Sequence, residues 1–136
     1  MTGEQEKKRA WLCRAKTAEK YVQALKEEAL QYMEFAETLL LFDNSDSVKL
    51  VQKLERSMQE RQKKIKELSI IRENIKKSIS QMPDDRLKEI LARHYLTYET
   101  IESVAESMNY DRRTIQKKHL KALDKIIMPK ESEINL

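Results

Sequence analysis

The sequence predicts an all-α protein: a long antiparallel helical hairpin, a coiled coil, followed by a three-helix helix-turn-helix module. Three observations carry this expectation. Turn residues are scarce, with one glycine (Gly3) and two prolines in 136 residues. Apolar side chains recur at alternating four- and three-residue steps over two long stretches before Pro83. After Pro83 the same period is cut into short runs, each opened by a capping residue. β-Sandwiches and barrels need many Gly- or Pro-punctuated turns, so the first observation argues against them. It also removes glycine-rich phosphate loops.

The first stretch places Trp11, Ala15, Ala18, Val22, Leu25, Ala29, Tyr32, Ala36 and Leu39 on one stripe, all apolar. Asp43 to Ser47 then supplies cap and turn residues. The second stretch places Val51, Leu54, Met58, Arg61, Ile65, Leu68, Arg72, Ile75, Ile79 and Met82 on the same spacing. Arg61 and Arg72 are the two charged members, read as snorkelling or register-fixing residues. Pro83 ends the run, because the residue before a proline disfavours helix. Helices of roughly 35 residues would each be about 50 Å long, and a short connection makes them antiparallel. The expected domains are a hairpin over 1–82, a DNA-binding module over 83–128 and a flexible tail over 129–136.

Leu12, Tyr21, Leu30, Met33 and Leu40 fall outside the first stripe, and Leu50 and Ile70 outside the second. They imply a further covering surface. The expectation is a homodimer through the hairpin; the competing one is a monomer whose module folds back onto it. The hairpin reads first as a structural coiled coil. The apolar run Leu39-Leu40-Leu41-Phe42 at its tip is a packed end or a partner-binding surface.

In the module, Asp84-Asp85 opens a helix with Leu87, Ile90, Leu91, His94 and Tyr95 on its inner face. Thr97-Tyr98-Glu99 is a loop, and Thr100 caps a second helix packed through Ile101, Val104, Ala105 and Met108. Asn109-Tyr110 turns the chain. Asp111 caps a third helix with Ile115, His119, Ala122, Leu123 and Ile126 inside. A short helix, a three-residue turn and a longer helix make a helix-turn-helix.

Charge is divided unevenly along this module. Pro83 to Tyr110 holds three basic and six acidic residues; Asp111 to Lys125 holds six basic and two acidic. The basic residues begin with Arg112 and Arg113 just inside the cap, where a recognition helix meets base edges. Lys117, Lys118, Lys121 and Lys125 follow, spaced to meet phosphates. A basic amphipathic helix with a solvated face accounts for the charge alone; the short helix, turn and cap favour double-stranded DNA.

The stretch from Leu91 to Leu96, then Ile101 to Ile115, then Lys121-Ala122-Leu123 resembles the region-four helix-turn-helix of bacterial sigma factors. It looks most like phage and prophage transcriptional regulators of the RinA and ArpU type, which join this module to an N-terminal helical hairpin. The resemblance implies sequence-specific transcription control, with contact to RNA polymerase of the kind sigma region four makes. By position it implies that Arg112, Arg113, Gln116 and Lys117 face the major groove, with Thr114 among the DNA contacts and Thr100 and Lys121 near phosphates. The family has glycine where this chain has Tyr98 and Asn109. Asn tolerates a left-handed backbone; at Tyr98 a loop of another shape is expected.

Enzymatic roles find little support. His94 and His119 lie on inner helix faces, where a histidine is a core residue first. Glu27-Glu28 and Asp84-Asp85 are adjacent and do not share a helix face. Cys13 is the one cysteine, has no histidine near it in sequence, and suits a reducing compartment. No cofactor, no metal, no signal peptide and no membrane span are expected, and the location expected is the cytoplasm of a bacterial host. A phage assembly or DNA-packaging adaptor, resembling a small terminase, stays open as the alternative, as does a helical interaction protein without catalysis.

Overall fold

The structure is a computed structural model that describes residues 1–42 and 44–129. Asp43 and most of the anticipated tail, from residue 130 on, lie outside the described residues. All regular structure among them is helical: α1 (Gly3–Leu39), α2 (Ser45–Ser80), α3 (Asp85–Leu91), α4 (Ile101–Met108) and α5 (Arg112–Lys125). The first two form the long hairpin. They contain 37 and 36 residues, or about 55 Å each.

Each boundary has a local cause. Thr2 and Gln5 make a reciprocal capping box at the start of α1: the Gln5 amide donates to Thr2 Oγ1 at 3.1 Å, and the Thr2 amide donates to Gln5 Oε1 at 2.9 Å. Asn44 caps α2 by accepting from the Ser47 amide at 2.8 Å. Asp84, Thr100 and Asp111 cap α3, α4 and α5 through their side-chain oxygens, at the positions their residue types indicate. Asn109 closes α4 in the left-handed conformation, φ 59°, which satisfies the last carbonyls of the helix.

Every position of the two long stripes is buried or half-buried, Arg61 and Arg72 included. The chain divides into two compact units. One contains residues 1–18 and the chain from Ile71 onward; the other is Glu19–Ile70.

In the first unit a single core joins Trp11, Leu12 and Ala15 of α1 to Ile75, Ile79 and Met82, and to the buried faces of α3, α4 and α5. Leu12, counted from sequence among the residues without a partner, is fully buried there. The helix-turn-helix elements alone are short, and the start of α1 and the end of α2 supply the apolar surface that completes their core. Gln5 adds a polar tie. Its Nε2 donates to Asp124 Oδ1 at 2.9 Å and to the Leu120 carbonyl at 3.4 Å, and Lys8 Nζ donates to the Asp124 carbonyl at 3.1 Å.

After Leu91 the helix widens into a π-helical segment, Ala92–Leu96, closed by the Thr97 amide donating to the Ala92 carbonyl at 3.1 Å. The extra residue per turn shifts the register, and Tyr95 is buried within it while His94 stays half-buried. The Tyr95 hydroxyl and His119 Nε2 are hydrogen-bonded at 2.6 Å. Burial pushes the Tyr95 phenol up. Burial, reinforced by His94, pulls His119 down to about 4, so it is neutral at neutral pH.

The second unit is two helices thick. Among its described residues only Val22, Ser47 and Val51 are buried. Arg61 links its helices: Nε pairs with Glu28 Oε2 at 2.9 Å, Nη2 donates to the Tyr32 hydroxyl at 3.1 Å, and the guanidinium sits 4.4 Å from the Tyr32 ring centroid. Such a contact exists only in one pairing of the helices, the register-fixing use of a charge on a coiled-coil seam.

Candidate nucleic-acid interface

The candidate site is built on the start of α5. Asp111 Oδ1 accepts from the Thr114 amide at 2.7 Å. That bond, with the Thr114 hydroxyl and the Arg113 amide adding to it, holds the Asp111 carboxyl below the usual carboxylate range. The cap starts α5 two residues after the left-handed turn at Asn109, and the Tyr110 amide donates to the Ala105 carbonyl at 2.9 Å. The inner face of α5 is then fixed by Ile115, His119, Ala122 and Leu123, all buried.

With that face inside, helical periodicity puts Arg112, Arg113, Gln116, Lys117 and Lys121 outside, and all five are exposed. Lys125 is exposed as well. Thr114 is half-buried. Lys121 lies nine residues beyond Arg112, about 13 Å further along the axis. Lys118 is half-buried, with Nζ 5.4 Å from the Tyr110 ring centroid, and Arg86 hydrogen-bonds the Tyr110 hydroxyl. Two cations, Lys118 and Arg86, thereby contact the turn between α4 and α5 through Tyr110.

Thr100 is exposed at the start of α4, where its Oγ1 accepts from the Ser103 amide at 3.1 Å. Its hydroxyl proton stays available to an acceptor such as a phosphate oxygen. The starts of α4 and α5 lie together, because Arg112 Nη2 pairs with Glu102 Oε1 at 3.0 Å. Glu102 was not among the site residues expected from sequence. No local signal marks it, since the pair joins positions on separate helices. It means that the first arginine of α5 is held by a carboxylate.

The loop before α4 takes the left-handed conformation at Tyr98, φ 61°, the conformation glycine would supply. A non-glycine residue costs about 1–2 kcal/mol there, and several bonds hold the loop in place. The Glu99 amide and the Thr97 hydroxyl both donate to the Arg93 carbonyl, each at 2.9 Å. His94 Nδ1 lies 2.7 Å from the Glu99 carbonyl. Glu99 also receives Ser103 Oγ at 3.2 Å and Arg93 Nη1 at 3.3 Å. Burial acts to raise its carboxyl, but those donors outweigh it and hold the carboxyl below the ordinary value. Beside the loop a cavity of about 220 Å³ is lined by Cys13, Lys16, His94, Tyr95, Tyr98, Glu99 and Thr100.

Among the described residues no group of three or more His, Cys, Asp or Glu side chains is placed to hold a metal, and no helix is long and apolar enough to cross a membrane. The fold and site define an all-helical protein in which a long hairpin accompanies a helix-turn-helix with an exposed basic face. Compared with known proteins, the chain matches no family model, no curated protein and no solved structure.

Proposed function

We propose that this protein is a DNA-binding transcriptional regulator of phage or prophage type, without catalytic activity, that reads the major groove with α5. The observation that supports the reading best is the basic, exposed face of α5 opening directly behind a helix cap and a left-handed turn. Arg112, Arg113, Gln116 and Lys117 occupy its first turns, where base edges are reached. Lys121 and Thr100 flank them at phosphate-contact positions. The same reading has the chain act as a homodimer through its hairpin, and includes contact with RNA polymerase as implied by the resemblance to sigma region four.

The test is selection of bound duplexes from a random pool, followed by affinity measurements on the enriched sequence. Arg113→Ala is expected to weaken specific binding by about 1–3 kcal/mol, the scale of a bidentate base contact. A pool that yields no enriched sequence, with binding insensitive to salt, overturns the reading.

A further inference from the structure

We propose that the unit Glu19–Ile70 is an interface for a second copy of this chain, with α1 of one copy lying beside α2 of the other. This rests on the self-association in the functional reading and adds the surface and the arrangement; it does not depend on DNA binding.

Coverage is the first observation. Of the twelve large apolar side chains exposed among the described residues, ten fall within Glu19–Ile70. Along α1, Tyr21 and Phe35 lie two seven-residue steps apart and are 61% and 49% exposed, with Glu28, the partner of Arg61, at the step between them; Phe42, 57% exposed, lies in the turn beyond the helix. Beside them Ala24, Gln31 and Thr38 keep the same spacing without a charge. A seven-residue repeat is the period of a coiled-coil seam. The Val22-to-Leu39 stripe of α1 is buried or half-buried, whereas Tyr21 and Phe35 on this flank are exposed. Aromatic side chains bury about 150–250 Å² each. Tyr21, Phe35 and Phe42 are about half exposed and so offer on the order of 300 Å² together, and the other seven exposed apolar side chains of this unit have to contribute to reach the roughly 800 Å² per partner of a stable interface.

Charge identifies the occupant. The α1 part, residues 19–39, has five acidic and two basic residues; the α2 part, residues 45–70, has seven basic and four acidic. A hairpin of one acidic and one basic helix is complementary to itself: a two-fold axis brings each acidic α1 beside a basic α2. The alternating arrangement is that of a four-helix bundle.

Sedimentation equilibrium of the full chain tests this at low salt. Wild type is expected at twice the 16.2 kDa monomer mass. Glu27→Lys with Glu34→Lys makes both helices basic; Lys53→Glu with Lys64→Glu makes both acidic. Each variant alone is expected to associate about tenfold more weakly or worse, and an equal mixture of the two to recover the doubled mass. Phe35→Glu is expected to be monomeric with unchanged helicity by circular dichroism. A wild-type mass that stays at one chain overturns the interface. Charge variants that associate as tightly as wild type, or a mixture no tighter than its components, overturn the arrangement. DNA affinity measured in parallel separates the two proposals: a dimer without DNA affinity overturns only the functional reading, and a DNA-binding monomer overturns only this one.

Discussion

Glu102→Gln is expected to tighten specific DNA binding. Arg112 Nη2 is 3.0 Å from Glu102 Oε1, with the two side chains 64% and 57% exposed. An ion pair that exposed contributes about 0.2–1 kcal/mol. To reach a base edge the guanidinium has to leave Glu102, so part of the 1–3 kcal/mol available from a bidentate contact is offset by the lost pair. Removing the carboxylate's charge returns that part, about 1.4- to 5-fold in affinity. A separate gain comes from removing a negative charge near the phosphates. A double-mutant cycle resolves the two, because in an Arg112→Ala background only the second remains. Fluorescence anisotropy on the selected duplex gives the four affinities. The gain from Glu102→Gln should be larger with Arg112 present, by the worth of the pair, and should shrink at high salt. Glu102 also stands in the first turn of α4, where an acid stabilises the helix by about 0.3–1 kcal/mol. The variant should therefore melt slightly earlier, and binding has to be measured well below that temperature. Equal gains in both backgrounds, or weaker binding by Glu102→Gln, would refute the argument that this pair competes with DNA.

Three further outcomes are expected. Lys121→Ala should weaken all duplexes alike and reduce the slope of log K against log salt by roughly one unit; an unchanged slope places Lys121 away from phosphate. Leu12→Ala should cost about 2–5 kcal/mol in urea unfolding, because Leu12 is fully buried with the helix-turn-helix core; a cost near zero would mean that this core does not need α1. His119 has its protonation pulled down from 6.5 to about 4 by burial. The unfolded chain thus takes up a proton that the folded one refuses, so His119 favours folding above pH 6.5 and that stability is lost as pH falls toward 4, by up to about 3 kcal/mol. His119→Gln should flatten that limb of a stability–pH curve, and a limb of the same depth would assign it to another group.

The sequence by itself determined the features whose causes are local. Asp84, Thr100, Asp111 and Asn44 cap helices because a side-chain oxygen reaches amides two or three residues ahead. The stripes from Trp11 to Leu39 and from Val51 to Met82 were legible because a buried face repeats with the helical period. For the same reason the outward direction of Arg112, Arg113, Gln116, Lys117 and Lys121 followed from the inward direction of Ile115, His119 and Leu123. Tertiary structure alone decided which surface each stripe meets. It buried Leu12 in the helix-turn-helix core and left Tyr21, Leu30, Met33 and Leu40 exposed, although all five had looked equivalent. It also drew Gln5 to Asp124 across most of the chain, set Glu102 against Arg112, widened the helix at Ala92–Leu96, and held Tyr98 in a conformation its side chain disfavours. These outcomes depend on contacts between residues distant in sequence, or on a local strain that surrounding bonds outweigh. Neither leaves a periodic or compositional trace at the residues themselves.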